Sequence, residues 1–574
     1  MHNFKCFAPN LLLKIIMSTA ANHDNMLQAL HRTLHNKKVL IIDRNAPARE
    51  SLRMLFGTLG VTNIVGVGTA ADVVRQVKNA RFDIIISEFV LDDTRDGQQL
   101  LEELRVAKFI PLSTVYMIIT SERSYTNVMA LAELAPDDYL IKPFTADQLQ
   151  PRLIRAIYKK HILQKIYEKL EANNLPEALA ACDRVIQQYP AFALEAQRHK
   201  GSIYLKLGLF PEAEKLYAEV IKENDPPWAK MGFAIALKEQ GKLKEARQLA
   251  LKILEESPKF LSVCDFLADI YTQEGNLKAA QEVLQKASEA SPNNTIRQRV
   301  MGDVAMQNGD LTAAQKAFGK VIERSRGSTL RSVDDFSNLA RVFIAKDDVD
   351  SSRKLMGDLK REFRGNATAE LAAMTNEVLC LKAEGANSRA ENLLNEALAM
   401  KAQLTDEALS AQQTTDLAMA CLQIGKAEEG QKLLRQIAAE NMENPSILAH
   451  VERVFEATDS AATGKNMVAQ VQEEIKQMDD ESSAATQRGD FLGAVRLLND
   501  AVQKVPSVAF LIKAACAIFT LLDNKGWNHE MASLAIEYLK RARKKDPQNA
   551  KLASAVALYT MVAKKYGVAA QFST

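Results

Sequence analysis

The sequence predicts two architectures in one chain: a five-stranded parallel, doubly wound α/β domain, then an all-α superhelical solenoid of helical hairpins. Three observations carry this. From Lys37 to about residue 158, short apolar runs alternate with segments of helical period. Downstream of Ile162 the strand patterns vanish. There, Gly208, Gly241, Gly275 and Gly309 recur at intervals of 33, 34 and 34 residues.

The first region contains five strand-helix units. "KVLIID" is a continuous apolar run of strand length, and "APARESLRMLFGTLG" (46–60) has helical spacing and ends in glycine. "VTNIVGVG" (61–68) reads as a strand and "AADVVRQVKNA" (70–80) as a helix. "FDIIISEF" (82–89) is a strand and "GQQLLEELRVAK" (97–108) a helix. "STVYMIIT" (113–120) is a strand, and "RSYTNVMALAEL" (123–134) a helix. "DDYLIKPF" (137–144) is a short strand, and a helix follows with Thr145 as N-cap. Strands apolar on both faces belong to a parallel sheet covered on both sides. In such folds chemistry collects at the carboxyl ends of the strands, which here carry Asp43, Glu88, Thr120 and Lys142.

In the second region a small residue lies five positions after each glycine: Ala213, Ala246, Ala280 and Ala314. Asn173 and Ala178 keep the same offset one unit earlier. Glycine or Asn permits a left-handed turn between helices, the alanine lets two helices cross closely, and Pro190, Pro258 and Pro292 close units. The offset persists in "KAEGANSRAENLLNEAL" (382–398), "CLQIGKAEEGQKLLRQI" (421–437) and "ATQRGDFLGAVRLLNDAVQKVP" (485–506). "LAIEYLKRARKKDP" (534–547) reads as a last unit, giving nine or ten hairpins. No Pro, Gly or Ser-rich break separates the two regions between residues 152 and 173, so the joint is expected to be rigid.

Composition narrows the function classes. The chain has 574 residues, 47% hydrophobic and 25% charged; its 73 basic and 71 acidic residues nearly cancel. That speaks against a general nucleic-acid or membrane surface. Six cysteines are scattered singly, which disfavours zinc and disulfides and suits reduced thiols in the cytoplasm. "NLLLKIIM" is too short to span a bilayer, residues 1–36 are expected to be a disordered extension, and Met17 is an alternative start. "DSAATGKNM" (459–467) lacks the second glycine and preceding strand of a phosphate loop. No catalytic triad, kinase or winged-helix pattern is present, so the expected output is binding.

With "IIDR", "IIISE", "MIITSER" and "YLIKPF" at the strand ends, residues 37–158 resemble the receiver (flavodoxin-like) domain of bacterial response regulators. The units of 159–326, "GSIYLKLGLFPEAEKLYAEVIKEN" (201–224) best among them, resemble tetratricopeptide repeats; 327–574 reads as degenerate repeats and C-terminal helices. The first resemblance places Glu88 at the phospho-acceptor position, Asp43 and Arg44 at the acidic pair, Thr120 and Tyr139 as switch residues and Lys142 as the family lysine. The family has Asp where Glu88 stands and an acid where Arg44 stands. Mg²⁺ needs hard oxygen ligands, and phosphoryl transfer depends on it. Its binding is therefore expected to be lost or weak, with no cofactor.

Three outcomes stay open for this site. Glu88 paired with Arg44 and Lys142 imitates a phosphorylated state; the domain is an inert docking module; or it is a genuine phosphorylation switch, with Asp92 or Asp93 as alternative acceptors. The resemblances imply a non-enzymatic, cytoplasmic scaffold of a two-component phosphorelay. One protein partner would sit on the receiver-like domain and a peptide or helix in the repeat groove. DNA and membrane are not expected. An RNA-binding repeat protein is the remaining alternative; its one basic run, "RARKKDP" (541–547), has no interleaved aromatics. Glu195, Arg198, Ser202, Lys206, Ser262, Asp265 and Asp269 on the first helices of the repeats do not form a carboxylate clamp.

Overall fold

The computed structural model describes residues 34–91, 95–121, 136–404, 409–442, 445–456, 461–546 and 549–568. The predicted helix over 123–134, the loop acids Asp92 and Asp93, and nearly all of the N-terminal extension lie outside these residues.

The first domain contains β1 (Lys38–Ile42), α1 (Ala46–Thr58), β2 (Asn63–Val67), α2 (Ala70–Asn79), β3 (Ile84–Glu88), α3 (Gly97–Val106), β4 (Val115–Thr120) and β5 (Asp138–Ile141). All pairings are parallel, in the order β2-β1-β3-β4-β5. The continuous apolar runs divide by alternation. Val39, Ile41, Ile84 and Ile86 pack with Leu52 and Phe56 of α1. Leu40, Ile42 and Ile85 pack with Val73 and Val77 of α2 and Leu100, Leu101 and Leu104 of α3. Elements begin later or end earlier than the sequence suggests: Thr114 closes a turn by donating its N–H to Pro111 O (3.0 Å), so β4 starts at Val115.

The joint is a single helix, α4 (Ala146–Glu171), which Thr145 opens with a capping box. Leu149, Leu153 and Ile154 belong to the core of the sheet domain. Tyr158, Ile162, Leu163 and Ile166 belong to the core of the first hairpin. Lys160 ties the joint to the sheet domain through Leu112 O (2.7 Å) and Asp137 (3.1 Å).

The solenoid continues with α5 (Leu175–Gln188), a 3₁₀ turn, α6 (Ala193–Lys206), α7 (Phe210–Asn224), α8 (Pro227–Glu239), α9 (Leu243–Glu256), α10 (Ser262–Gln273), α11 (Leu277–Ala290), α12 (Thr295–Gln307) and α13 (Leu311–Arg324). Then come α14 (Val333–Ala345), α15 (Val349–Glu362), α16 (Ala367–Ala383), α17 (Asn387–Gln403), α18 (Ala411–Ile424) and α19 (Ala427–Glu440). The last are α20 (Pro445–Glu456), α21 (Ala461–Gln487), α22 (Phe491–Lys504), α23 (Val508–Lys525), α24 (His529–Lys545) and α25 (Ala550–Lys565). Nine turns among the described residues share one design: a positive-φ residue, then a small buried residue five positions later. Gly208, Gly241, Gly275 and Gly309 lead to Ala213, Ala246, Ala280 and Ala314, all buried. Asp347 and Ser352 make such a pair without a glycine; a short polar side chain tolerates the left-handed region. The last helix, α25, comes back against α5. Cys182, Cys264, Cys380 and Cys421 are buried, and desolvation pushes Cys182 and Cys421 up to about 12.

Two glycines inside helices allow Tyr217 to be buried. A Cβ at Gly201 would lie 2.5 Å from its ring and one at Gly232 only 2.2 Å. Alanine gains about 1 kcal/mol of helix propensity over glycine, but overpacking a filled core costs about 1–3 kcal/mol. Gly232→Ala is therefore expected to destabilise the early repeats, read by urea unfolding through the fluorescence of Trp228, whose ring lies 6.3 Å from that of Tyr217. An unchanged or raised midpoint would show that Tyr217 moves aside at little cost.

Candidate functional site

The site lies at the carboxyl ends of β1 and β3, where parallel topology gathers strand termini. Asp43 follows β1, is buried, and its Oδ1 accepts the N–H of Asn45 (2.8 Å). Glu88 ends β3 with 9% exposure, and its Oε1 accepts the N–H of Phe89 (2.9 Å). Lys142 follows β5. Its Nζ donates to Asp43 Oδ2 (2.8 Å) and forms an ion pair with Glu88 Oε2. Burial opposes the charge on Lys142, but hydrogen bonds and attraction from Asp43 and Glu88 outweigh it and hold its pKa above that of ordinary lysine. The ammonium thus ties the first and third strands together through the one side chain that β5 delivers.

The expected pairing of Arg44 with Glu88 is corrected. Arg44 is exposed and has no ion pair among the described residues. The chain turns outward as Asn45 closes on Asp43, and the guanidinium at this corner is that of Arg49, donating to Asp43 O (2.6 Å) and Arg44 O (3.3 Å). Thr120 ends β4 and is buried; its carbonyl accepts the N–H of Lys142 (2.7 Å). Tyr139 lies on the edge strand β5 and is 45% exposed beside the half-exposed Ile141. The structure thus unites Asp43, Glu88 and Lys142, buries Thr120 nearby, and leaves Arg44 and Tyr139 facing solvent.

The family of folds to which this sheet corresponds uses a magnesium ion at this place. Here both carboxylates already engage Lys142, and the position after Asp43 carries a guanidinium. Two carboxylates bridged by an ammonium fall short of the near-octahedral oxygen shell that Mg²⁺ takes.

The repeat face carries its own pairings. Asp265 holds Arg297 through two bonds of 2.7 Å, with Arg297 buried, and Asp269 pairs with Lys238 (2.6 Å). These carboxylates are committed to neighbouring repeats.

Comparison with known proteins agrees with both readings. A response regulator receiver domain model matches residues 39–154, and tetratricopeptide repeat models match 163–228, 200–259 and 237–304. The chemotaxis protein CheY-3 of Vibrio cholerae is 26% identical over 135 residues, covering 24% of this chain and 95% of that protein. The probable transcriptional regulator ycf27 of Porphyridium aerugineum is 21% identical over 145 residues, covering 25% of this chain; the match spans 55% of the regulator. Among solved structures, one titled for functional characterization of Pseudomonas aeruginosa pilF aligns at TM-score 0.30 and 16% identity, over 36% of this chain and 92% of that one. Receiver domains and tetratricopeptide repeats are generally non-enzymatic, and the repeats generally mediate protein–protein interactions. No described helix is long and apolar enough to cross a membrane. The chain therefore joins a response regulator receiver domain, residues 39–154, to a tetratricopeptide-repeat solenoid.

Proposed function

We propose that this protein is a non-enzymatic, cytoplasmic adaptor whose receiver domain is held in one signalling state by its own side chains and whose repeats bind partner proteins. The observation that carries the reading is Lys142 bridging Asp43 and Glu88. An ammonium stands between the carboxylates that would otherwise face a cation, and the acceptor position holds the longer acid. Acyl-phosphate formation needs a free carboxylate oxygen for in-line attack and a cation to neutralise developing charge. Glu88 supplies the first poorly, because one oxygen is held by Lys142 and the other by the Phe89 N–H.

Two measurements test this. Titration with Mg²⁺ to millimolar concentration, followed by NMR of the residues around Glu88, is expected to show no saturable change. Incubation with acetyl phosphate and Mg²⁺ is expected to leave the intact mass unchanged. A stoichiometric phosphoryl adduct would overturn the fixed-state reading in favour of the phosphorylation-switched regulator. Loss of that adduct on replacing Glu88, Asp92 or Asp93 would then identify the acceptor.

A further inference from the structure

Helix α3 is buried on every side from Gly97 to Leu104, and reaches solvent only in its last turn at Val106. Leu100, Leu101 and Leu104 face the sheet, as the helical period requires. Gln98, Gln99, Glu102 and Glu103 occupy the remaining faces and are buried as well. An outer helix of a doubly wound sheet ordinarily turns such residues to water. Here loops of the repeat region meet Gln99 and Glu103 directly.

The contacts are specific and polar. Asp96, the N-cap of α3, accepts from Asn293 Nδ2 (2.9 Å), and Gln99 Nε2 donates to Asn293 O (3.3 Å). Glu103 Oε1 accepts from both the backbone N–H (2.7 Å) and the hydroxyl (2.9 Å) of Thr329. Its other oxygen takes Arg95 (3.1 Å), with both side chains buried. Asp96, Gln99 and Glu103 are spaced i, i+3, i+7 and share one face of the helix. Asn293 and Thr329 lie in the loops leading into α12 and α14, one repeat apart. Arg324 adds attraction for Asp96, whose burial nonetheless raises its pKa, and Glu102 lies within the electrostatic reach of Arg299.

The same helix is welded to the candidate site. The Phe89 N–H is shared between the Glu88 carboxylate (2.9 Å) and Ile119 O of β4 (3.2 Å), and Phe89 O accepts the N–H of Gly97 (2.6 Å). Gly97 lies so close to β3 that a Cβ there would meet Glu88 O at 2.7 Å. Tyr116 donates to Gly97 O (3.3 Å) from the neighbouring strand. A change at the Glu88 carboxylate therefore reaches the first turn of α3 through two residues of shared backbone.

We propose that the repeat region carries a docking surface for the receiver's β3–α3 edge, built from the consecutive loops around Asn293 and Thr329, and that the Glu88–Lys142 site sets how firmly the edge is held. The surface fits a helix N-terminus with a capping carboxylate and a second carboxylate seven residues on, and this chain fills it with its own α3. The docking surface stands whether Glu88 imitates phosphorylation or is inert to it, since it rests on contacts outside the acceptor chemistry; the coupling rests on the contact of the Glu88 carboxylate with Phe89.

Amide hydrogen exchange of the full chain tests it, with the Thr329 N–H as direct reporter. Asn293→Asp sets a carboxylate against Asp96 without touching the receiver. It is expected to speed exchange at least tenfold in peptides covering 95–104 and 326–331, while β1, β3 and β4 stay protected. Glu103→Lys should do the same from the other side. Glu88→Gln should give the same pattern at several-fold amplitude. Unchanged exchange in both segments for Asn293→Asp and Glu103→Lys would overturn the docking surface. Opening in those two variants with none in Glu88→Gln would overturn the coupling to the site.

Discussion

Lys142→Met is expected to destabilise the receiver domain by about 3 kcal/mol at neutral pH, with the deficit shrinking as the pH falls towards about 4. Removing one partner of a buried ion pair leaves uncompensated charge, at a typical cost of about 3–5 kcal/mol. The lower end applies because Lys142 keeps 27% side-chain exposure. The variant would leave Asp43 and Glu88 facing each other with no cation between them. Each carboxylate would resist ionising beside the other, so the folded-state pKa of the pair would rise above its unfolded value. A raised folded pKa contributes stability below the unfolded value and loses it as pH rises through the folded one. Acidification thus restores what the substitution removed. In the parent protein the raised pKa of Lys142 gives the mirror case. Its contribution is fully present below the ordinary lysine range, about 10.4, and is lost only above it. Exchange of the β1 and β3 amides against pH reads both, because a chain with two structural regions has no single melting temperature. An equal deficit at pH 4.5 and pH 7 would mean that lost packing, not charge, dominates.

The fold was legible because each region repeats a simple physical demand. Strands covered on both faces must be apolar along their covered length, as residues 39–42, 84–86 and 115–119 are. Stacked hairpins must turn sharply and then cross closely, and Gly208 with Ala213 shows the pattern that recurs down the solenoid. The site was legible only as a set of strand ends. Topology brings Asp43, Glu88 and Lys142 together, but which cation reaches Glu88 depends on how the chain turns after β1. The Asn45 turn sends Arg44 to solvent and brings Arg49 to the carbonyls instead. The docked face of α3 was not legible at all. Gln98, Gln99, Glu102 and Glu103 have the spacing and polarity of a solvated helix face, and nothing local distinguishes water from a distant repeat loop as their partner. The turn at Asp347 was missed for a smaller reason: it meets the left-handed requirement with an acid where the other units use glycine or, at Asn173, an amide.

The double variant Arg44→Asp with Glu88→Asp is expected to take the site from no detectable phosphorylation to a near-stoichiometric adduct with acetyl phosphate and Mg²⁺. The change at 44 replaces a guanidinium by a carboxylate next to Asp43, restoring the paired acids at the end of β1 and reversing the local charge that repels a cation. The change at 88 draws the acceptor oxygen back by one methylene, away from Lys142 Nζ, and frees it to attack. In the reaction the aspartate oxygen forms a bond to phosphorus, the donor's P–O bond breaks, and acetate leaves with the electron pair. No proton or redox partner is required. Neither single change is expected to suffice: Glu88→Asp alone leaves the guanidinium at 44, and Arg44→Asp alone leaves the long acid pinned between Lys142 and the Phe89 N–H. The readout is an intact-mass increase of one phosphoryl group that disappears on chelating Mg²⁺ and on treatment with hydroxylamine, which cleaves acyl phosphates. Retained exchange protection of the strands would show that the variant is folded. A folded double variant that neither binds Mg²⁺ nor gains mass would refute the account in which these two residues block the chemistry. The obstacle would then lie elsewhere at the mouth of the site, and the identity of residue 88 would lose its claim to hold the domain in one state.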